Sequence, residues 1–283
     1  MQVPVLFVAR FEDFERVDHR KERYQMSRKI KDRIQNTEYR MQKTEGHHPF
    51  SILLIFAAVV VQILTVVGPA PAADVPSLPH PAIPNGFGVN IHFARQGRDL
   101  DMIAAGGFKF IRMDLSWSGV EKARGVYDFE KSGYDGLTKG CTERGINILY
   151  ILDYSNKLYE EDRSVRTDEG RKAFAAFAEA ASKRYAGKGI LWEIWNEPNI
   201  KQFWTPQPSV EDYCKLVEET APRIKAADPG GQVVAGATSQ IPMSWLEDCF
   251  KAGLLKSIDV LSVHPYRSKA PETVIGDYAK LRE

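Results

Sequence analysis

Short apolar runs alternate with longer segments of helical periodicity from Gly86 to the end of the sequence. The apolar runs are rich in β-branched and aromatic residues and have the length of strands. Alternation of this kind is typical of βα units, which build a parallel sheet. The predicted strands are residues 88–93, 108–114, 146–153, 191–197, 232–238 and 258–264.

Helix-start signals stand between these strands. Residues 100–105 have a helical pattern, and Thr167 precedes an acidic first turn and an apolar stripe that Gly187 can end. Ser209 begins another segment of this type, with Asp212 in its first turn. Serine and threonine are favoured N-caps because their oxygens accept from free backbone N–H groups. Both segments are therefore predicted to be capped helices.

Polar residues stand at the carboxyl ends of most predicted strands, which decides between two architectures. An open doubly wound sheet would gather them at one switch point. A closed (β/α)8 TIM barrel carries them on many strand ends, at its active face. The sequence therefore predicts an α/β barrel with about six of its eight βα units present. The strand-end residues are His92, Arg112, Asp114, Asp153, Asn196, Glu197, His264 and Tyr266.

Charge and cysteine content exclude several kinds of partner. The chain has 38 Lys and Arg against 37 Asp and Glu, so it has no overall field to attract nucleic acid. The cysteines Cys141, Cys214 and Cys249 lack metal-ligand spacing and are interpreted as core residues. No cofactor is predicted.

The first 85 residues divide into three segments. Residues 1–49 form a basic extension with eleven Lys and Arg against eight Asp and Glu, and its length raises the alternative of a start at Met26 or Met41. Residues 50–73 contain an apolar run, 52–67, that predicts a signal peptide cleaved after Ala72 or a membrane anchor. Residues 74–85 read as a proline-rich linker. The barrel, residues 86–283, is therefore expected to be exported, periplasmic or extracellular, and either released or anchored to the inner membrane.

The run 192–199, WEIWNEPN, resembles the strand-four signature of retaining glycoside hydrolases of clan A, in which Asn-Glu-Pro carries the acid/base glutamate. Arg112 at the end of strand two and the pair His264 and Tyr266 at the end of strand six match further positions of that clan. The resemblance is nearest to family 39 and to glycosidases of bacterial exopolysaccharide biosynthesis. It covers roughly residues 86–283.

The resemblance implies a role for each matching residue. Glu197 would be the proton donor, and Asn196 would bind the sugar 2-hydroxyl. Arg112 and Tyr266 would orient the nucleophile, and the substrate would be a polysaccharide or oligosaccharide. His92 and His264 would line the sugar subsite.

Three further residues are interpreted from their positions. Trp204 follows the signature in a loop and is predicted to stack on a sugar ring. Trp192 is expected to pack in the core. Glu193 is a charged residue within a strand, which predicts an ion pair with an inward arginine such as Arg112.

The sequence departs from the clan pattern at its end. The clan nucleophile ends strand seven, and residue 283 falls in the helix after strand six. Two βα units are therefore expected to be missing, and the 283-residue chain by itself is expected to be inactive. A non-catalytic carbohydrate-binding protein is the alternative, and a metal-dependent barrel using Asp114 and Asp153 is a weaker third hypothesis.

Overall fold

A curled parallel sheet occupies the centre of the computed structural model, which describes residues 86–92 and 97–283 and the backbone of residues 5–7. Its strand order is β1-β9-β8-β7-β6-β3-β2, with every neighbouring pair parallel. A short antiparallel hairpin, β4 and β5, lies outside this sheet. The strands are β1 (Val5–Phe7), β2 (Gly88–Asn90), β3 (Phe110–Ser116), β4 (Glu121–Ala123), β5 (Val126–Tyr127), β6 (Asn147–Asp153), β7 (Leu191–Ile194), β8 (Gln232–Ser239) and β9 (Val260–His264).

Helices follow the strands of the sheet along the chain. They are α1 (Gly97–Ala105), α2 (Trp117–Val120), α3 (Tyr134–Glu143), α4 (Asp168–Arg184), α5 (Val210–Ala227), α6 (Met243–Lys251), α7 (Leu254–Ser257) and α8 (Val274–Arg282), with a 3₁₀ turn at Pro271–Thr273 before the last. The two predicted caps are confirmed. Thr167 Oγ accepts from Gly170 N at 2.9 Å, and Ser209 Oγ accepts from Asp212 N at 3.1 Å.

The two faces of the sheet have different environments. The helix-covered face carries the large core, which includes Met113, Trp192 and Val263. The opposite face carries a small cluster of Leu149, Ile151, Leu191, Val234 and Val260 against Phe110. Because side chains alternate along a strand, Arg112 and Glu193 lie on the same face as this small cluster. The inner face of the partial barrel is therefore apolar at its base and charged toward the strand ends.

The predicted barrel architecture is confirmed, with a partial barrel built from the six expected strands in sequential order. The strand β1 was not predicted, and it pairs with β9 from Val5↔Leu261 to Phe7↔Val263. The apolar run 52–67, the linker 74–85 and most of the extension lie outside the described residues. None of the helices in the described ranges is long and apolar enough to span a membrane.

Candidate active site

Arg112 occupies the centre of a buried hydrogen-bond network near the carboxyl ends of the strands. Its Nε and Nη2 both lie 2.7 Å from Glu193 Oε2, and its Nη1 donates to Asn90 Oδ1 at 3.2 Å. Its Nη2 also donates to Asn196 Oδ1 at 2.8 Å. Arg112 is 5% exposed and Glu193 is fully buried. The carboxylate therefore neutralises a guanidinium that would otherwise be a costly buried charge.

His264 joins this network to Glu197. Its Nε2 lies 3.3 Å from Arg112 Nη2, and its Nδ1 lies 2.8 Å from Glu197 Oε1. Since a guanidinium can only donate, Nε2 must accept, and the ring proton is on Nδ1, from which it is donated to Glu197. Burial lowers the pKa of His264, and the charge of Arg112 lowers it further, although the bond to Glu197 opposes the shift. The ring is therefore neutral at neutral pH.

Glu197 is held by its backbone as well as its side chain. Its φ of 50° places it in the left-handed region, just beyond the end of β7, and its N–H donates to Ala237 O at 2.8 Å. That carbonyl belongs to a bulge in β8, between Ala235 and Thr238. The Asn199 side chain makes two bonds to the backbone of Ser239, which fastens the same loop to β8. Strained backbone held by surrounding contacts is common at functional sites.

The two oxygens of the Glu197 carboxyl differ. Oε1 accepts from His264, whereas Oε2 makes no hydrogen bond with any residue that the structure describes. A proton on this carboxyl would therefore be carried by Oε2. The arrangement can hold a carboxylic acid in one orientation and present its proton, which general acid catalysis requires.

Asn196 is oriented from both ends of its amide. Its Oδ1 accepts from Arg112, and its Nδ2 donates to the Tyr154 hydroxyl at 3.0 Å. Burial and the neighbouring carboxyls of Asp153 and Asp114 raise the pKa of Tyr154, so the phenol remains neutral and can accept this bond. The amide is thus fixed directly before the catalytic candidate in the chain.

Two further carboxyl groups lie on the inner face at the ends of β3 and β6. Asp153 is 1% exposed, and Asp114 is partly exposed, with an oxygen 4.0 Å from His92 Nδ1. Burial raises the pKa of Asp153 well above its usual range, and the adjoining Asp114 carboxyl raises it further. In the described ranges, no three His, Cys, Asp or Glu side chains are grouped as metal ligands would be.

The sequence profile of the cellulase family, glycosyl hydrolase family 5, matches residues 79–272 of this chain. The matched part includes the whole network around Arg112 and Glu197. The chain belongs to this glycosyl hydrolase family. The family match confirms the predicted membership of clan A, whereas the likeness to family 39 comes from solved structures.

Three relatives show the extent of the similarity. A β-xylosidase of Geobacillus stearothermophilus is 35% identical over 92 residues, which are 31% of this chain and 18% of the relative. The structure of a family 39 glycoside hydrolase from Bacteroides cellulosilyticus WH2 matches with 26% identity and a TM-score of 0.56, over 64% of this chain and 38% of that one. A monomeric β-xylosidase from Caulobacter crescentus CB15 matches with 20% identity and a TM-score of 0.56, over 69% and 48%, and shows the fold alone. The chain therefore spans less than half the length of each of these relatives.

Four of the site residues predicted from the sequence are joined by direct contacts: Arg112, Asn196, Glu197 and His264. Tyr266 is beside them, with its ring 6.0 Å from that of His264. His92 lies next to Asp114 and is exposed. The predicted pair of Glu193 with Arg112 is confirmed, and Trp192 packs in the core as expected.

Trp204 does not fit its predicted role as a sugar-stacking surface. Its side chain is fully buried and packs edge-on against Trp195 and Tyr213, with ring centroids 5.0 and 6.0 Å away. A ring covered by other aromatics has no free face for a sugar. The prediction was wrong because position in a loop does not imply exposure.

Trp195 also departs from the expected pattern. An unbroken strand would place it on the inner face with Glu193 and Glu197, but β7 ends at Ile194 and Trp195 has a φ of 71°. Its ring belongs to the helix-side core, and its Nε1 donates to Phe203 O at 3.1 Å. The left-handed backbone at Trp195 ends the alternation of side chains between the two faces of the sheet, two residues before Glu197.

Three residues of the site were not singled out from the sequence: Asn90, Tyr154 and Asn199. Asn90 could have been found from register, because β2 pairs Asn90 with Arg112. Tyr154 follows a strand-end aspartate, and Asn199 follows the Asn-Glu-Pro signature. Asn199 is the last residue of the matching run 192–199, whereas Tyr154 carries no pattern that separates it from an ordinary loop residue.

Proposed function

We propose that this protein is a retaining glycosidase that hydrolyses O-glycosidic bonds of a polysaccharide or oligosaccharide, with Glu197 as its proton donor. The observation that carries the proposal is the chain of contacts from Arg112 through His264 to Glu197. It fixes one carboxyl oxygen and leaves the other without a hydrogen bond to the described residues. Membership of a glycosyl hydrolase family supports the reaction class.

The proposed reaction needs two carboxyl groups. Glu197 Oε2 protonates the leaving oxygen, while a second carboxylate ~5 Å away attacks the anomeric carbon and forms a glycosyl intermediate. Water then releases the sugar, with Glu197 acting as the base. Asn196, held between Arg112 and Tyr154, donates or accepts at the sugar 2-hydroxyl.

We infer that the nucleophile belongs to sequence beyond Glu283. Glu193 is an unsuitable candidate because it is fully buried and bound to Arg112 through Oε2. The relatives extend well beyond the part that this chain matches. The proposal therefore includes two further βα units, the first of which ends in a glutamate.

The substrate proposed for first trials is a β-xyloside, because the similar protein of Geobacillus stearothermophilus is named a β-xylosidase. A β-linked bacterial exopolysaccharide is the natural substrate that the sequence resemblance suggests. Export of the barrel would bring it to such a polymer outside the cytoplasm.

The test compares two leaving groups in wild type and Glu197→Gln. Xylobiose needs a proton on its leaving oxygen, whereas 2,4-dinitrophenyl β-xyloside does not. We expect kcat/KM on xylobiose to fall by about 10²–10⁴-fold and kcat/KM on the aryl xyloside to fall far less. Glu179→Gln, in α4 and outside the site, should leave both values unchanged.

Both the 283-residue chain and a chain extended by the next two βα units should be assayed. Activity is expected only from the extended chain. Equal losses on both substrates would show that Glu197 is not the acid. An extended chain that binds xylo-oligosaccharides without cleaving them would support the non-catalytic carbohydrate-binding alternative instead.

A further inference from the structure

Asp153 is the most unusual polar residue of the inner face. It ends β6 and is fully buried, and neither carboxyl oxygen has a hydrogen-bond partner among the described residues. By alternation it lies on the same face as Leu149 and Ile151, above the apolar base of the partial barrel. Buried polar groups without partners are rare and costly, so a function is expected of this one.

Asp114 is the neighbour that gives Asp153 a role. It lies on β3, on the same face as Arg112, and 37% of its side chain is exposed. Its strand is the parallel neighbour of β6, with Asp114 paired to Ile151 and Ser116 paired to Asp153, so the two aspartates lie on the same face two residues apart in register. The Asp114 carboxyl also raises the pKa of Asp153. The pair therefore has one fully buried member and one partly exposed member.

The charges around the pair assign the proton. Arg112 and Arg163 oppose the rise in the pKa of Asp153, but burial and Asp114 outweigh them. Burial raises the pKa of Tyr134 to about 12 and that of Tyr154 still higher, so both phenols are neutral between pH 5 and 9. His92 is the other titratable neighbour, 4.0 Å from Asp114. Burial and the neighbouring carboxyl therefore favour the protonated form of Asp153, whose carboxyl can then donate a hydrogen bond.

We propose that Asp114 is a substrate-binding carboxylate that accepts hydrogen bonds from hydroxyl groups of a neutral sugar, and that Asp153 positions it by donating a hydrogen bond to it. The inference rests on the proposed glycosidase function and adds to it a specificity-determining residue. No proton is transferred during binding: Asp153 keeps its proton, and Asp114 remains an acceptor for sugar hydroxyls. A uronic acid would place a second negative charge against Asp114, so the site selects neutral sugars.

The test measures binding of xylotetraose by calorimetry, using the full-length protein that carries Glu197→Gln so that turnover is suppressed. In this background Asp114→Asn should weaken binding about 10- to 100-fold, as expected for loss of a charged hydrogen bond. Asp153→Leu should weaken it to a similar extent at every pH, because Asp114 loses its donor. Circular dichroism and thermal melting check that each variant is folded.

Asp153→Asn is the decisive variant, because its amide can donate to Asp114 at any pH. In the parent protein, binding should weaken as rising pH removes the proton of Asp153. In Asp153→Asn, binding should stay within about threefold of the parent value at pH 5 and should not change up to pH 9. A merely structural role for Asp153 would leave the pH dependence of binding unchanged.

Three outcomes would overturn the inference: failure of the Glu197→Gln protein to bind xylotetraose, equal affinity in Asp114→Asn, or the same pH dependence in Asp153→Asn as in its parent. Failure of the glycosidase proposal is separate, since it would appear as sugar binding with the expected variant effects but without hydrolysis by the protein that retains Glu197.

Discussion

His264 Nδ1 lies 2.8 Å from Glu197 Oε1, while the opposite nitrogen of the same ring faces Arg112 at 3.3 Å. Arg112 can only donate, so His264 accepts from Arg112 through Nε2 and donates to Glu197 through Nδ1. Protonation of His264 would place an N–H against the guanidinium, so Nε2 could no longer accept from Arg112. The proposed acid is therefore oriented by a neutral histidine, and the stability of this arrangement depends on pH.

The first prediction concerns stability and His264. Its pKa is lowered in the folded state, mainly by burial, so between the folded pKa and the unfolded value of ~6.5 the unfolded chain binds more protons. This residue's contribution is fully present above that unfolded value and is lost as pH falls through the folded pKa. His264→Gln should therefore lose less unfolding free energy than wild type between pH 7.5 and 5.0, measured by urea denaturation. An identical loss in both proteins would contradict the proposed neutral ring.

The second prediction concerns the buried pair of Arg112 and Glu193. Arg112→Met leaves a fully buried carboxylate without its cation, which costs about 3–5 kcal/mol of unfolding free energy. The double variant Arg112→Met with Glu193→Met removes both charges and should recover most of that loss. Urea denaturation of the wild type, both single variants and the double variant measures the coupling. Additive effects would show that the two charges do not depend on each other.

The third prediction follows from the burial of Trp204. Trp204→Ala should cost about 3–5 kcal/mol of unfolding free energy, because the ring fills space between Trp195 and Tyr213. Trp204→Phe keeps an aromatic ring and should cost less. Thermal melting and urea denaturation measure both. Weaker xylotetraose binding by a Trp204→Ala protein of unchanged stability would restore the sugar-stacking role.

The strands of this fold could be predicted from the sequence because a parallel strand covered on both faces is a nearly continuous apolar run. Residues 146–153 illustrate this: the predicted strand became Asn147–Asp153. The helix caps at Thr167 and Ser209 were predicted for a similar reason, since one local hydrogen bond decides each. Signals that depend on a few neighbouring residues can be read directly.

The parts that could not be predicted depend on tertiary contacts. The turn at Trp195 departs from strand periodicity because its indole is held by Phe203 and packed on the helix side. Tyr154 belongs to the site because Asn196, from another strand end, donates to it. The motif Asn-Glu-Pro predicts Glu197 as the acid, but the bulge in β8 that holds its backbone has no local sequence signal beyond a glycine.

That glycine, Gly236, carries the last prediction. Its φ is 95°, and a Cβ added there would lie 2.7 Å from both Ser262 O and Leu261 Cδ1, so Gly236→Ala must displace backbone of β9. The matched control is Gly125→Ala, where φ is 74° but a Cβ would meet nothing within 4 Å. Both variants carry the cost of a left-handed alanine, ~1–2 kcal/mol, and only Gly236→Ala adds a steric clash.

The larger loss of unfolding free energy is therefore expected at Gly236, measured by urea denaturation. Since Glu197 N–H donates to Ala237 O within the same bulge, Gly236→Ala should also shift the acid and lower kcat/KM on xylobiose more than on 2,4-dinitrophenyl β-xyloside. Gly125→Ala should leave the ratio of the two kcat/KM values unchanged. If Gly236→Ala has the same unfolding free energy as Gly125→Ala and an unchanged ratio of the two kcat/KM values, the bulge does not position Glu197.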